Sequence, residues 1–171
     1  IMLKYKILFH VTGSIAAYKA CEVIRLLVVK GFEIQVVASK NAIRFVGIAT
    51  LEGLSGKPVY TESFLEGHMM DHIYLWKDID CAIVVPASAD FINRSAAGIS
   101  DGLLSDLFLA WDRKIPYLMF PAMNLNMYAH PSVQNSIQTL ESWGVEFHGP
   151  ASGDLACRDR GRGRILEPEQ I

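Results

Sequence analysis

The chain has 171 residues, 51% of them hydrophobic, and a formal net charge of −2. That length suits one domain able to bury about 70% of the surface its unfolded chain exposes. The near-balanced charge gives no footing for a nucleic-acid or anionic-membrane partner, and no apolar run approaches the roughly 20 residues of a membrane-spanning helix. The start runs straight into strand-like sequence without signal-peptide architecture, and the three cysteines, Cys21, Cys81 and Cys157, show no Cys-x-x-Cys spacing. Neither a disulfide framework nor a metal site is expected; a reducing, cytoplasmic setting is.

Lys6-Ile7-Leu8-Phe9-His10-Val11 reads as the first strand, followed by a helix over residues 15–29 with Ile15, Tyr18, Val23, Leu26 and Leu27 available for its buried side. Residues 32–38 read as a second strand and residues 41–54 as a helix with Gly53 and Gly56 near its end. The stretch 60–71 is weakly patterned and is expected to be a loop. Asp80-Cys81-Ala82-Ile83-Val84-Val85-Pro86 is a continuous apolar run, as a parallel strand covered on both faces requires. Short helices over 91–97 and 103–111, a strand over 115–120, a helix over 133–143 and a strand over 145–148 complete the alternation. From Gly149 the chain turns to Gly, Arg and Asp, the composition of an extended surface segment. Strand–helix alternation at this spacing predicts an α/β fold, a three-layer doubly wound parallel sheet of flavodoxin-like or Rossmann-like type, in one domain over 1–171.

The ends of those strands carry the residues with chemistry. Thr12-Gly13-Ser14-Ile15 joins the first strand to the first helix, where backbone N–H groups and small hydroxyls suit a phosphate. An ordinary N-cap at Ser14 explains the same residues. The loop lacks both G-x-G-x-x-G and a Gly-Lys-Ser/Thr element, which argues against a dinucleotide or a nucleoside triphosphate and for a mononucleotide. Ser39 leaves the second strand on the same sheet edge. Pro86-Ala87-Ser88-Ala89-Asp90 leaves the central strand there as well, either as a small-residue platform for a flat ring or as a helix start capped by Ser88 or Asp90. Asn124 sits where Ile115-Pro116-Tyr117-Leu118-Met119-Phe120 hands over to a helix, either as a ligand anchor or as a cap. His72 opens His72-Ile73-Tyr74-Leu75; a histidine can exchange protons near neutral pH, though one on a weakly structured segment is ordinarily a surface residue, and His68 is an equal choice on local sequence. Cys157 lies in a Gly/Arg loop where Arg158 and Arg160 favour thiolate, unlike Cys21 and Cys81, which suit burial on helix and strand.

Pro121-Ala122-Met123-Asn124-Leu125-Asn126-Met127-Tyr128, taken with Leu155-Ala156-Cys157-Arg158, resembles the flavin-dependent cysteine decarboxylases, and most closely the phosphopantothenoylcysteine decarboxylases of coenzyme A synthesis. Their Pro-x-Met-Asn-x-x-Met motif is matched at Pro121, Met123, Asn124 and Met127, and the resemblance runs from Gly13 to Pro168. It implies FMN held by Gly13, Ser14, Ile15, Ser39, Ser88, Ala89, Asp90 and Ala122. It makes His72 the base near the substrate thiol and Asn124 the anchor of the substrate carboxylate, with Met127, Asp154, Leu155 and Ala156 also at the substrate. Residues 149–166 become a loop that closes over it. Cys157 becomes the proton donor of the last step.

The chemistry explains that set. Cysteine carboxylate loses carbon dioxide poorly because the carbanion left behind has no stabilisation. Oxidation of the carbon bearing sulfur gives a thioaldehyde, an electron sink β to the carboxylate, and decarboxylation then yields an enethiolate. FMN performs the redox step while the protein positions and polarises. Peptidyl-cysteine decarboxylases generally lack the Cys157 counterpart, so Cys157 favours 4′-phosphopantothenoylcysteine as substrate and 4′-phosphopantetheine as product. The alternatives are oxidative decarboxylation of a C-terminal peptidyl cysteine and a non-catalytic flavin-binding regulatory subunit, which would need none of His72, Asn124 and Cys157. A homo-oligomer, a trimer or dodecamer, is implied as well, as is a fused or separate phosphopantothenoylcysteine synthetase. The sequence departs from the family pattern at Arg158, which replaces a glycine, at Trp76-Lys77-Asp78, and at Asp101-Gly102. These departures bear on substrate identity more than on flavin chemistry.

Overall fold

The computed structural model describes residues 5–61, 70–154 and 160–171, the side chains of Asp71, His72 and Arg160 excepted. Five strands, β1 (Lys6–Val11), β2 (Glu33–Ala38), β3 (Cys81–Ala87), β4 (Tyr117–Pro121) and β5 (Val145–Phe147), form a parallel sheet in the order β2-β1-β3-β4-β5. Each strand alternates its side chains between two cores, as a pleated strand must. Ile7, Phe9 and Val11 enter one core with Ile83, Val85 and Phe120; Leu8, Ala82, Val84, Tyr117 and Met119 enter the other. Burial on both faces is why the strands read as unbroken apolar runs. The predicted doubly wound sheet is the observed one.

Helices cover both faces. On one side α1 (Ala17–Val29) and α2 (Ile48–Ser55) pack over β1 and β2; on the other lie α4 (Ala89–Ala96), α5 (Leu103–Ala110) and α7 (Pro131–Ser142). The short α3 (Asp71–Tyr74) precedes β3, and α6 (Leu125–Ala129) follows β4. The order 2-1-3-4-5 reverses between β1 and β3, and ligands bind in the crevice that such a reversal opens at the carboxyl ends of the strands.

Three expectations need correction. The first helix begins at Ala17 rather than residue 15, and its buried face runs through Ala17, Ala20, Val23 and Ile24. Ile15 precedes the first turn, and Tyr18 is one step of about 100° off that stripe, so they stand 60% and 56% exposed. The helix expected over 41–54 is interrupted. A 3-10 turn, Ala42–Arg44, comes first, and α2 restarts after Gly47, whose extended backbone (φ −66°, ψ 143°) breaks the run. The segment after Gly149 is more ordered than an extended surface stretch. It is an antiparallel hairpin of β6 (Ala151–Asp154) and β7 (Arg160–Arg164). Of the stretch 60–71, Tyr60 bridges Val37 beside β2, residues 62–69 lie outside the described residues, and α3 begins at Asp71.

Candidate active site

Thr12 closes the switch point. It is 2% exposed, and its hydroxyl Oγ1 donates to the Pro86 carbonyl at 2.5 Å and accepts from the Ser88 amide at 2.9 Å. One side chain thus ties the end of β1 to the end of β3. Gly13 follows, pressed so close to the loop after β2 that a Cβ there would lie 2.5 Å from Asn41 Cβ. Ser14 turns the chain into α1: its Oγ accepts from the Ala16 amide at 3.2 Å and its carbonyl from the Ala17 amide at 2.9 Å. The helix N-cap is therefore Ala16, which has no side-chain cap, so the alternative reading of Ser14 as the N-cap does not hold. The start of α1 thus has no side-chain cap, while the amides of Ala16, Ala17 and Lys19 are already partnered by the turn before it.

Ser39 and Ser88 border the same opening. Ser39 Oγ accepts from the Ala42 amide at 3.1 Å, and Ser88 caps α4 by accepting from the Phe91 amide at 3.2 Å. Asp90, in the first turn of α4, pairs with Arg94 at 2.9 Å, and Arg94 reaches on to Asp101 at 2.5 Å. Together these groups border a cavity of about 420 Å³ that includes Thr12, Gly13, Ser39, Ser88, Asp90 and Arg94.

A second cavity, about 600 Å³, lies on the other side of the same loop, lined by Ser14, Ile15, Lys19, Ala122, Asn124 and Asp154 among others. Gly13 faces the first cavity and Ser14 the second, so a single turn of backbone is their common wall. Asn124 is the N-cap of α6, its Oδ1 accepting from the Asn126 amide at 2.8 Å. The capping reading and the anchoring reading are compatible: the cap fixes the carboxamide oxygen against α6, and the amide group at the other end is a donor. Volumes of this size suit small-molecule ligands, and small residues at Gly13, Ala122 and Ser88 leave the width a flat ring system needs. The residues present therefore fit a flavin mononucleotide.

The described histidines outside α3 are accounted for structurally. His10 is fully buried, with Nδ1 3.3 Å from the Tyr117 hydroxyl, and burial pushes its pKa down to about 3. His130 caps α7, and His148 stacks on Phe120 with ring centroids 5.4 Å apart. Burial raises the Cys81 thiol to about 11 and raises that of Cys21 as well, so neither is a thiolate near neutral pH.

The sequence matches the Flavoprotein family over residues 2–171. The chain belongs to that family. Among curated relatives it is 41% identical over 166 residues to the coenzyme A biosynthesis bifunctional protein CoaBC of Mycolicibacterium smegmatis, covering 97% of this chain and 40% of that protein. The chain thus spans about two fifths of the length of that relative. Among solved structures, a PPC decarboxylase mutant complexed with pantothenoylaminoethenethiol superposes with a TM-score of 0.87 at 27% identity, covering 98% of this chain and 94% of that one. The FMN binding protein AtHal3 superposes with a TM-score of 0.83, also at 27% identity, covering 98% and 92%. These likenesses place the Flavoprotein fold beside the sheet described above.

Within this family member, the sequence-predicted residues fall into four groups. Gly13, Ser39, Ser88 and Asp90 line the first cavity; Ser14, Ile15, Ala122, Asn124 and Asp154 line the second. Ala89 is 5% exposed and packs in the core beneath, and Met127 stands half-exposed on α6, lining neither cavity. The backbone of His72 is in α3. Its side chain, together with Leu155, Ala156 and Cys157, lies outside the described residues.

Sequence reading placed Thr12 in the phosphate loop but missed its bridge between β1 and β3, and it missed Lys19 and Arg94. A lysine in a helix looks like solvent face. Gly163 falls in the Gly-, Arg- and Asp-rich stretch that follows Gly149. In the structure a Cβ at Gly163 would collide with the Met123 carbonyl oxygen, and Met123 N donates to the Gly163 carbonyl at 3.0 Å.

Proposed function

We propose that this chain binds FMN at the β1/β3 switch point and decarboxylates 4′-phosphopantothenoylcysteine to 4′-phosphopantetheine. The observation that carries this reading is the meeting of two cavities on one loop: Gly13 borders one, Ser14 the other, and Asn124 lines the second. A cofactor lying along that turn would touch residues of both cavities, with a carboxylate at Asn124 in the second. The curated relative named for coenzyme A biosynthesis and the PPC decarboxylase and FMN binding protein structures support the same assignment.

FMN, when bound, supplies the hydride acceptor and donor. Everything else falls to the chain. Gly13, Ser14 and the start of α1 receive the cofactor phosphate with Ser39; Ser88 and Asp90 border its ring from the first cavity, Ala122 meets it from the second, and Ala89 supports Ser88 from the core beneath. Asn124 donates to the substrate carboxylate, its orientation held by the cap on α6. His72 takes the proton from the substrate thiol. The β6–β7 hairpin, carrying Asp154 and leading to Leu155 and Ala156, covers the substrate and excludes water, and Cys157 delivers the final proton. The carboxylate anchored at Asn124 leaves as carbon dioxide once the neighbouring carbon has become an electron sink.

The reading extends to assembly. Ile15 and Tyr18 are exposed large apolar side chains at the mouth of the second cavity, which a second copy of the chain would cover in a homo-oligomer. A phosphopantothenoylcysteine synthetase, fused or separate, is the partner reaction.

The decisive experiment is mass spectrometry of products from phosphopantothenoylcysteine and, in parallel, from a peptide ending in cysteine. Conversion of the first to the saturated decarboxylated thiol is expected. Turnover of the peptide alone would overturn the assignment.

A further inference from the structure

We propose that Lys19 is a positioning residue: through its ion pair with Glu167 it latches the β6–β7 hairpin across the second cavity. This rests on the reading of that cavity as the substrate site. Among the described residues Lys19 is the buried lysine, its side chain only 9% exposed. Its Nζ donates to Glu167 Oε2 at 2.8 Å, across 148 positions of sequence. The other carboxylate oxygen of Glu167 accepts from Arg164, the last residue of β7. One carboxylate therefore joins the first turn of α1 to the base of the hairpin. Lys19 and Arg164 both line the cavity, so the bridge runs along its wall.

Among the described residues, two further contacts tie the hairpin on the α6 side. Met123 N donates to the Gly163 carbonyl, and the Arg162 guanidinium lies 5.4 Å from the Tyr128 ring centroid. Both contacts reach the segment around α6. Ile165, 3% exposed, enters the core on the α1 side just before Glu167. The ion pair is a polar tie on that opposite side. A buried ammonium must be paired, and the partner of Lys19 is Glu167, whose own side chain is 45% exposed. The Glu167 carboxyl is held below its ordinary range chiefly by the hydrogen bond from Lys19, with Arg164 adding to it. Glu167 also N-caps the terminal 3-10 turn in a capping box with Gln170, which fixes where its backbone sits. A rigid carboxylate meeting a buried lysine is suited to set the position of a strand, and loosening it would open the cover without touching the reacting atoms.

The test compares the flavin-loaded protein with Lys19→Met, Glu167→Gln, the double variant, and Lys19→Arg. Hydrogen exchange at residues 151–154 and 160–166 should speed up tenfold or more in both single variants, with β1–β5 unchanged. KM for phosphopantothenoylcysteine should rise by a similar factor while kcat stays within twofold. The double variant should be no worse than either single, and Lys19→Arg should stay near the parent. Unchanged exchange, or acceleration spread evenly over the sheet, would overturn the latch. Additive effects in the double variant would also overturn it, since they would mean that Lys19 meets the substrate directly. If no form of the protein turns over this substrate but the exchange pattern appears, the latch stands and the substrate assignment falls.

Discussion

The Ser88 amide donates to Thr12 Oγ1 at 2.9 Å although the two residues are 76 positions apart in sequence. Because Thr12 also donates to the Pro86 carbonyl, its hydroxyl is the strut that sets the spacing of the two loops bordering the first cavity. Thr12→Val keeps the shape and removes both hydrogen bonds, leaving buried backbone groups unsatisfied at a cost of about 1–3 kcal/mol. FMN titration followed by fluorescence quenching should show tenfold or greater weakening, with Thr12→Ser close to the parent.

Gly13→Val tests the phosphate loop from its other side. Any Cβ at this position meets Asn41 Cβ at 2.5 Å, so the loop after β1 must move away from the loop after β2. The purified parent should be yellow, with one flavin per chain released on denaturation. The variant should keep its far-ultraviolet circular dichroism and lose most of the visible absorbance. A colourless parent that fails to take up FMN would remove the basis of the functional reading.

Asn124→Asp separates anchoring from capping. Aspartate caps a helix about as well as asparagine, so α6 should survive. Under the proposed anchoring role the new negative charge would oppose the substrate carboxylate at a cost of at least about 1 kcal/mol even when well screened. Stopped-flow mixing with substrate should show weakened binding at unchanged melting temperature.

His72→Asn and Cys157→Ser should fail at different stages. Without the base, oxidation of the thiol never begins, so no bleaching of the flavin is expected on mixing with substrate. Without the thiol, decarboxylation proceeds once per site and the product stays unsaturated, two hydrogens short of phosphopantetheine. Release of saturated product by Cys157→Ser at the parent rate would make Cys157 structural.

His10 predicts an acid sensitivity unrelated to catalysis. Its folded pKa is about 3 against 6.5 for the free side chain. The unfolded chain therefore binds more protons between those values, and stability, complete above pH 6.5, falls as pH drops through that window. At pH 4.5 this one group should cost about 2–3 kcal/mol. Urea midpoints of the parent and of His10→Leu, compared at pH 7.5 and 4.5, should show a smaller drop in the variant.

The sheet was legible because strands buried on both faces must be apolar throughout, and β3 and β4 are. The ligand-bearing edge of the sheet was legible from Gly13-Ser14, Ser39, Ser88 and Asn124 at the strand ends, whereas the β1/β3 switch point came only with the strand order. What escaped was the phase of α1: Ile15 and Tyr18 are apolar, but small residues, Ala17 and Ala20, make the close contact with the sheet. The contacts of Thr12 and Lys19 escaped for a different reason. Their partners, Pro86, Ser88 and Glu167, are far away in sequence, and no local pattern announces a contact made only by the fold. The hairpin was hidden by its composition, since Gly and Arg have little strand preference and β6 and β7 are held by pairing with each other.

The seating of Gly163 on Met123 has a consequence for anyone exchanging parts between members of this family. The peptide that leads into Asn124 and the return strand of the hairpin share one interface, with no room for a side chain between them. A hairpin transplanted alone would arrive on a foreign seat and tilt the neighbouring carboxamide. The transferable module is residues 121–129 together with residues 149–168, moved as a pair into a chain that keeps a lysine at the Lys19 position.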